Sequence, residues 1–239
     1  MNRSKKIGIF LTARSGSRRL PNKHFLKLSK DLKVIDLCIL RLKKSKLIKD
    51  NLYLCTTKNK NDDKFKLVCK EHKINLYRGS EKNVLKRIIN CAEKFGVKTI
   101  VRITADCPII DPSLVDKCIN LHLKEKNDYT SNVLELSFPD GLDVEVIELK
   151  ALIKSYKISQ NSYNKEHVTP FIRSSKNFKK KNLKNSINYS SRRWTLDYFK
   201  DFIFIKKVIK FFTPNIYFSW KEIISSEKEN KKLLNIKNR

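Results

Sequence analysis

A turn of small and basic residues at positions 12–23 has the composition of an anion-binding loop. It reads Thr12-Ala13-Arg14-Ser15-Gly16-Ser17-Arg18-Arg19-Leu20-Pro21-Asn22-Lys23, with four cations in its last ten residues. Backbone N–H groups beside a glycine can line a phosphate site, and arginine presents a fork that matches phosphate oxygens in pairs. The loop matches neither the Walker A pattern nor G-x-G-x-x-G. Because Lys and Arg are abundant throughout the chain, a solvated basic turn is the alternative interpretation.

Four acids lie beside or within apolar runs, where a sheet would present them to a ligand. Asp106 comes just after the run 99–104, and Asp197 follows the run 192–196. Because Mg²⁺ prefers one or two carboxylates together with substrate phosphates, Asp106 and Asp197 could hold one metal ion from adjacent strands. Asp143 and Glu145 alternate with apolar residues, so they share one face of a predicted strand and could bind sugar hydroxyls or a metal.

Each of these residues also has a purely structural interpretation. Asp106 could be a turn residue, and Asp143 with Glu145 could belong to a solvent-facing strand. A lone histidine, such as His167 in Glu166-His167-Val168-Thr169-Pro170, is more often a structural hydrogen-bonding residue than a ligand or a base. The pattern of residues by itself leaves these alternatives open.

The elements that would position these residues alternate between strand and helix in the first half of the chain. This alternation predicts an α/β fold with a mostly parallel sheet and helices on both faces, whose ligands bind at the carboxyl ends of the strands. Ser80 is predicted to cap the third helix, Gly96 to end it, and Asp111-Pro112 to begin the fourth. Apolar runs and helical spacing predict strands at 7–11, 51–56, 74–77 and 99–104, and helices at 34–47, 63–72, 83–95 and 111–124.

The second half is less regular. We expect one large α/β domain over 1–220, with a projecting element within about 130–185, and a polar helix or tail over 221–239. The segment 161–184 is polar and Lys-rich and is predicted to be largely a loop. The remaining predicted elements are strands at 129–132, 143–147 and 192–196, and helices at 149–156 and 201–212.

Composition limits the classes of function. The net charge is +29, from 53 Lys and Arg against 24 Asp and Glu in 239 residues. The Lys residues are spread along the chain without an aromatic-interleaved basic patch, so compositional drift is favoured over a specific nucleic-acid partner. The six Cys form no C-x-x-C pair and are predicted to be core residues in a reducing compartment. No apolar run approaches the roughly 18 residues of a membrane span, and the N-terminal run is too short for a signal peptide, so a cytoplasmic location is expected.

Seven stretches together resemble the cytidylyltransferase family typified by the spore coat polysaccharide biosynthesis protein SpsF. That family is related to the synthetases of CMP-sialic acid and CMP-3-deoxy-octulosonate. The stretches occur in the family's order over about residues 7–205. They are Ala13-Arg14-Ser15-Gly16-Ser17 with Arg19-Leu20-Pro21 and Lys23; Arg78-Gly79-Ser80-Glu81 with Val84-Leu85; 101–108 with Asp111-Pro112; Asp128-Tyr129 with Ser131-Asn132; 139–145; 166–170; and Arg193-Trp194-Thr195-Leu196-Asp197.

The resemblance implies a Rossmann-like, GT-A-like three-layer sandwich. It also implies a nucleotidyltransferase domain over 1–220 and a homodimer, which the projecting element within about 130–185 could mediate. From composition and the length of the apolar runs, neither a specific nucleic acid nor a membrane is expected as a partner. The implied reaction transfers CMP from CTP to an acidic or otherwise activatable sugar, with Mg²⁺ as cofactor and release of pyrophosphate, for surface polysaccharide biosynthesis. A glycosyltransferase that uses a nucleotide sugar is the nearer alternative, and a basic nucleic-acid-binding protein is the farther one. A catalytically inactive relative that binds nucleotide is a third.

By position, the resemblance also implies residue roles. Arg14, Lys23 and Asp106 are the expected catalytic residues, and Asp106 with Asp197 the expected Mg²⁺ ligands. Asp143, Glu145 and His167 fall on the sugar side. The expected nucleotide-binding residues are Thr12, Ala13, Arg14, Ser15, Gly16, Ser17, Arg19, Lys23, Arg78, Ser80, Thr104 and Asp106.

Three segments of the sequence depart from the family pattern. Asn22 stands where the family has Gly, and Lys165 replaces an Arg. Tyr198-Phe199-Lys200 replaces a stretch that contains Pro-Glu, although Asp201 is retained. The last change lies directly beside Asp197, so it bears on whether that acid keeps its geometry.

Overall fold

A seven-stranded sheet forms the centre of the computed structural model, which describes residues 6–48 and 50–229. Its strands are β1 (Ile7–Thr12), β2 (Leu52–Thr57), β3 (Asn75–Gly79), β4 (Thr99–Thr104), β5 (Tyr129–Ser131), β6 (Glu145–Glu148) and β7 (Lys180–Asn182). They lie in the order β3-β2-β1-β4-β6-β5-β7. Neighbours are parallel except at β6, which runs antiparallel to β4 and β5. The predicted mostly parallel sheet is confirmed.

Helices cover both faces of this sheet. They are α1 (Val34–Leu42), α2 (Phe65–Glu71), α3 (Val84–Phe95), α4 (Pro112–Glu125), α5 (Leu149–Ile158), α6 (Ser162–His167), α7 (Pro170–Ser174), α8 (Phe199–Phe212) and α9 (Trp220–Glu229). Ile9 and Leu11 of β1 pack in one apolar cluster with α1, α4 and α8, whereas Phe10 packs in another with α3 and α5. Because successive strand residues point to opposite faces, these two clusters make the fold a three-layer sandwich, as predicted.

Local capping signals explain where several helices begin and end. Gly96 ends α3 in the left-handed region with φ of 67°, and Asp111 caps α4 by accepting the N–H of Ser113 at 2.8 Å. The prediction that Ser80 caps α3 is wrong. Asn83 is the cap, because its Oδ1 accepts the N–H of Lys86 at 2.9 Å.

Tertiary contacts correct two predictions, the end of one helix and the existence of one strand. The helix predicted over 34–47 ends at Leu42, where the chain turns to reach β2. The strand predicted over 192–196 is wrong, because that segment forms only an isolated bridge between Asp140 and Arg193. Other backbone amides of this segment bond to separate loops; for example, Leu196 N–H donates to the Asp106 carbonyl at 2.8 Å. These bonds do not continue along one partner strand, so no β-ladder forms.

The segment 161–184 contains more regular structure than the predicted loop. It forms α6 and α7, and β7 pairs with β5 at the edge of the sheet. The polar C-terminal helix is present as α9 up to Glu229, and positions 230–239 lie outside the described residues. All six cysteines are free and buried, as predicted for core residues. Within residues 6–48 and 50–229, none of the helices has both the length and the apolar character needed to cross a membrane.

Candidate active site

A cavity of about 700 Å³ opens at the carboxyl ends of β1 and β4. The loop 12–23 forms one wall, and Asp106 and Asp197 line it as well. This is the place where open α/β sheets bind ligands. The predicted nucleotide-binding residues that line it are Thr12, Ala13, Arg14, Gly16, Ser17, Arg19, Lys23, Thr104 and Asp106.

The conformation of the loop is set by a buried acid and by one left-handed residue. Asp62 accepts the N–H of Ser15 at 2.7 Å and the hydroxyl of Thr57 at 2.5 Å, which ties the loop to the end of β2. Asn22 has φ of 55° and ψ of 24°, a left-handed conformation that glycine adopts freely and asparagine tolerates better than most residues. The departure from the family's Gly is therefore compatible with the turn.

Lys23 joins the loop to the two predicted metal ligands. Its buried Nζ lies 3.2 Å from Oδ2 of Asp106 and 3.1 Å from Oδ1 of Asp197, and it donates to the Leu196 carbonyl at 2.7 Å. Burial is the strongest single influence and acts to raise the pKa of Asp106, but the Lys23 ammonium, with smaller contributions from Thr104 and His24, holds that pKa below its ordinary value. Both acids are thus brought to one point, although Asp197 does not end a regular strand.

The geometry around Asp197 is maintained by Asp201 despite the altered residues between them. Asp201 Oδ2 accepts the N–H groups of Asp197 and Tyr198, each at 2.9 Å. Arg193 Nη2 lies 2.9 Å from Asp197 Oδ2, and Arg19 Nη2 lies 3.0 Å from Asp197 Oδ1. The guanidinium of Arg19 also lies 5.1 Å from the centre of the Tyr198 ring. The substituted stretch therefore leaves Asp197 held in place.

The acid pair is suited to a hard cation. The Lys23 ammonium lies between the two carboxylates, so the structure itself places a positive charge where a metal would bind. In the described part of the chain no group of three or more His, Cys, Asp or Glu side chains could hold a metal ion. Two carboxylates alone are the ligand set expected for Mg²⁺ when phosphate oxygens of a substrate complete its coordination.

A second cavity, of about 370 Å³, adjoins the first and shares Arg102, Thr104 and His167 with it. Glu145 lies in its wall but is satisfied by the protein, because it is paired with Arg102 from the neighbouring strand. It also accepts the hydroxyls of Tyr129 at 2.7 Å and Thr169 at 2.6 Å. Burial alone would raise the pKa of Glu145, but the Arg102 charge lowers it below its usual range. Glu145 therefore organises the wall of this cavity.

Asp143 lines the same cavity in a different electrostatic environment. Burial, followed by the charges of Asp140 and Glu145, raises the pKa of Asp143 to about 7. A carboxyl group with such a pKa can take up and release a proton near neutral pH. The two acids that share a predicted strand face thus differ in chemistry, because only Glu145 has a guanidinium beside it.

His167 lies where the two cavities meet, at the end of α6, with its ring 4.5 Å from that of Tyr163. The preceding Glu166 reaches Arg14 of the basic loop at 3.6 Å, and both side chains are about half exposed. The segment 166–167 therefore contacts both the nucleotide side and the acceptor side of the site.

Three predicted nucleotide-binding residues lie outside the lining of both cavities. Ser15 is turned toward Asp62 and Asn61. Arg78 donates to the carbonyls of Thr57 at 2.9 Å and Asn59 at 2.8 Å. Ser80 accepts the N–H of Asn83 at 3.0 Å. Their predicted role in nucleotide binding stays a prediction, and in this structure their polar groups bond to the protein.

Several lining residues were not predicted from the sequence. Arg87 and Arg102 line the nucleotide cavity. Arg193 does not line it but forms an ion pair with Asp197, which does. His24 also lines it, and burial together with the Lys23 charge lowers the pKa of His24 to about 4, so its ring is neutral. The sequence did contain a signal for Arg87. It is a charged residue on the apolar face of a predicted helix, because it stands three residues after Val84 and four before Cys91.

Known proteins are similar to this chain in sequence and in fold. The family model described as Cytidylyltransferase matches residues 9–234. An uncharacterized protein of Methanocaldococcus jannaschii is 39% identical over 203 residues, covering 83% of this chain and 80% of that protein. The spore coat polysaccharide biosynthesis protein SpsF of Bacillus subtilis is 33% identical over 172 residues, 70% of each chain.

Solved structures agree with these matches. A cytidylyltransferase from Leptospira borgpetersenii has a TM-score of 0.91 and 31% identity, covering 96% of both chains. CMP:2-keto-3-deoxy-manno-octonic acid synthetase, solved with CTP, has a TM-score of 0.64 at 10% identity, over 86% of this chain and 98% of that one, and shares the fold. The chain belongs to the cytidylyltransferase family, and within it to the SpsF type.

Proposed function

We propose that this chain transfers CMP from CTP to a hydroxyl group of a sugar and releases pyrophosphate. The observation that carries the proposal is the acid pair Asp106 and Asp197 facing the basic loop across one cavity, with a second cavity adjoining it. The first cavity offers the cations and carboxylates that a triphosphate with a metal ion requires. The second offers acceptors for sugar hydroxyls. Family membership and the likeness to a synthetase solved with CTP support CTP as the donor.

The reaction asks the protein mainly for positioning and charge neutralisation. The acceptor oxygen forms a bond to the α-phosphorus while the bond from that phosphorus to the oxygen bridging to the β-phosphate breaks, so pyrophosphate leaves. Arg14, Arg19 and Lys23 would bind the phosphates, and the charge that develops on the leaving group would meet cations already in place. When held by Asp106 and Asp197, Mg²⁺ supplies further positive charge that reduces repulsion between the phosphates and the incoming hydroxyl.

The acceptor hydroxyl must lose its proton during the transfer, and we assign that proton to a carboxylate oxygen of Asp143. The side chain lines the acceptor cavity, and its pKa of about 7 lets it be ionised before the reaction and protonated after it at neutral pH. Glu145 would act on the same wall by fixing Arg102 and Thr169.

A pyrophosphate-release assay tests the proposed reaction. The protein is incubated with CTP, Mg²⁺ and a panel of acidic, neutral and amino sugars, and the products are identified by mass spectrometry. We expect pyrophosphate and a CMP-sugar in equal amounts with at least one sugar. Release of a nucleoside diphosphate from a nucleotide sugar, with no pyrophosphate from CTP, would identify a glycosyltransferase and refute the proposal.

The variant Asp106→Asn tests the acid pair. Removing one preorganised charged group of this kind costs roughly 3–4 kcal/mol of transition-state stabilisation, or about 10²–10³ in rate. The matched control is Asp31→Asn, which removes an exposed carboxylate outside both cavities. A folded Asp106→Asn protein that keeps more than about a tenth of wild-type turnover would contradict the role assigned to this residue.

Other expectations come from the sequence and from the resemblance. Mg²⁺ dependence, a homodimer, a cytoplasmic location and a role in surface polysaccharide biosynthesis stay predictions. The acidic character of the sugar is also a prediction, which the sugar panel addresses directly.

A further inference from the structure

Arg87 is a buried arginine in the wall of the nucleotide cavity, and the described residues 6–48 and 50–229 supply it with a single hydrogen-bond acceptor. Its side chain is 3% exposed, and Nη1 donates to the Ser80 carbonyl at 2.6 Å. Its Nε is buried and has no hydrogen-bond partner within the described part of the chain. Burial lowers the pKa of Arg87, the direction expected when desolvation outweighs the nearby charges. An incompletely satisfied buried guanidinium is costly unless a ligand completes its hydrogen bonds.

A second buried arginine shows what a structural role looks like in this fold. Arg41 is a fully buried residue of the last turn of α1, and its nitrogens donate to the carbonyls of Ile109, Ile110, Ile216 and Phe218 at 2.6–3.3 Å. It lines neither of the two cavities described above. Arg41 therefore holds chain segments together, whereas Arg87 lies in a cavity wall with one protein acceptor.

The fold makes specific room for Arg87. A Cβ atom placed on Gly79 would lie 2.7 Å from Cγ of Arg87, too close for any side chain at that position. The stem of Arg87 thus lies over the last residue of β3. Gly79 explains how so large a charged side chain can pass between α3 and the sheet to reach the cavity.

The stem of Arg87 lies over the end of β3, on the side of the sheet away from the strand that leads to Asp106. In the sheet, β3 lies three strands from β4, after which Asp106 follows. At a strand spacing of about 4.8 Å, the ends of those strands are separated by roughly 14 Å. That separation is comparable to the distance between the base and the outer phosphates of an extended nucleoside triphosphate. With the phosphates at Lys23 and Arg19, the base would reach the Arg87 end.

We propose that Arg87 donates hydrogen bonds to the acceptor edge of the cytosine ring and selects CTP over UTP. Cytosine presents two adjacent acceptors, N3 and O2, which match the fork of a guanidinium. In uracil N3 carries a hydrogen, so the same fork meets a donor. This inference rests on the proposed function, because it assumes that CTP occupies the larger cavity. It assigns base selection to Arg87 rather than to Arg78, whose guanidinium bonds to Thr57 and Asn59.

The test compares nucleotide binding by wild type, Arg87→Met and Arg87→Lys, using calorimetry with Mg²⁺ and either CTP or UTP. The control is Lys86→Met, which removes one charge from the exposed face of the same helix, one residue away. We expect wild type and control to prefer CTP by about tenfold or more, which corresponds to ~1.4 kcal/mol. In both Arg87 variants CTP binding should weaken by at least that factor, and the ratio of the two affinities should fall toward one.

Several outcomes would overturn the inference. The inference is contradicted if the Arg87→Met protein keeps the wild-type preference for CTP. It is also contradicted if CTP and UTP lose affinity equally, because that would indicate a contact with ribose or phosphate. The melting temperature of the free protein is a second readout. If Arg87 had only a structural role, its replacement would lower the melting temperature strongly, while the folded fraction of the variant would still bind CTP normally. If Arg87→Met fails to fold, Arg87→Lys decides, because it keeps the charge and loses the fork. Wild type that binds no CTP contradicts the proposed function itself.

Discussion

Replacing Lys23 by methionine should open the acid pair to a divalent cation in the absence of nucleotide. In the structure Lys23 Nζ lies 3.2 Å from a carboxylate oxygen of Asp106 and 3.1 Å from one of Asp197. The ammonium therefore takes the place between the acids that a metal would need. A metal can enter only if Lys23 moves, and the phosphates of a nucleotide are the natural alternative partner for its charge. We expect the wild-type chain to bind metal well only together with a triphosphate.

The size of the effect can be worked from these distances. Two unit charges 4 Å apart interact by about 4 kcal/mol at an effective dielectric of 20, and a divalent ion doubles that repulsion. The measured effect will be much smaller, since Lys23 can relieve the repulsion by leaving the acids and since the Asp106 side chain is 31% exposed to solvent. We expect Lys23→Met to bind metal at least about tenfold more tightly than wild type, or ~1.4 kcal/mol.

The measurement is a Mn²⁺ titration followed by electron paramagnetic resonance of the free ion, without nucleotide. Lys66→Met is the matched control, because Lys66 is an exposed lysine paired with a single surface acid, Asp63, at 3.1 Å. Adding Asp106→Asn to Lys23→Met should abolish the gain. Mn²⁺ should also raise the melting temperature of Lys23→Met more than that of wild type. Equal Mn²⁺ affinities of wild type and Lys23→Met would refute the reasoning.

Three further predictions concern the acceptor side and the backbone beneath it. Asp143→Asn should gain stability relative to wild type as pH rises. The folded pKa of about 7 exceeds the ordinary 3.8, so the folded state binds the proton more tightly, and wild type loses stability between about pH 4 and 7. In urea unfolding the difference should reach on the order of 2–4 kcal/mol at pH 8, and a pH-independent difference would contradict the assignment. Gly141→Ala should lower the melting temperature markedly, because φ is 108° and a Cβ would lie 2.6 Å from the Thr195 nitrogen; an unchanged melting temperature would argue against this packing. Glu145→Gln should cost roughly 3–5 kcal/mol in denaturant unfolding, because it leaves the Arg102 charge, whose side chain is only 16% exposed, without its buried partner; a loss below about 1 kcal/mol would contradict that.

The sequence predicted most reliably those elements whose signals are local. The mostly apolar runs 7–11 and 99–104 correspond closely to β1 and β4, because a strand covered on both faces needs apolar residues at most of its positions. Gly96 and Asp111 marked helix boundaries because capping depends on one residue and its immediate neighbours. The same logic placed Asp106 at the carboxyl end of a buried strand.

Local sequence signals could not predict which distant segments pair with one another. Residues 192–196 have the composition of a strand, but a strand exists only if a partner continues the ladder, and here single bonds go to separate loops. Likewise, Asp143 and Glu145 look equivalent in the sequence. The register of β4 against β6 sets Arg102 opposite Glu145, and so only Asp143 keeps a pKa near neutrality.

The basic loop 12–23 shows both sides of this division. Its small residues and cations indicated an anion site from the sequence, because backbone freedom and charge are properties of the residues themselves. The contact of Lys23 with acids 83 and 174 positions further along the chain could come only from the tertiary structure. Electrostatic energy depends on distances in space, and the packing of the whole sheet sets those distances.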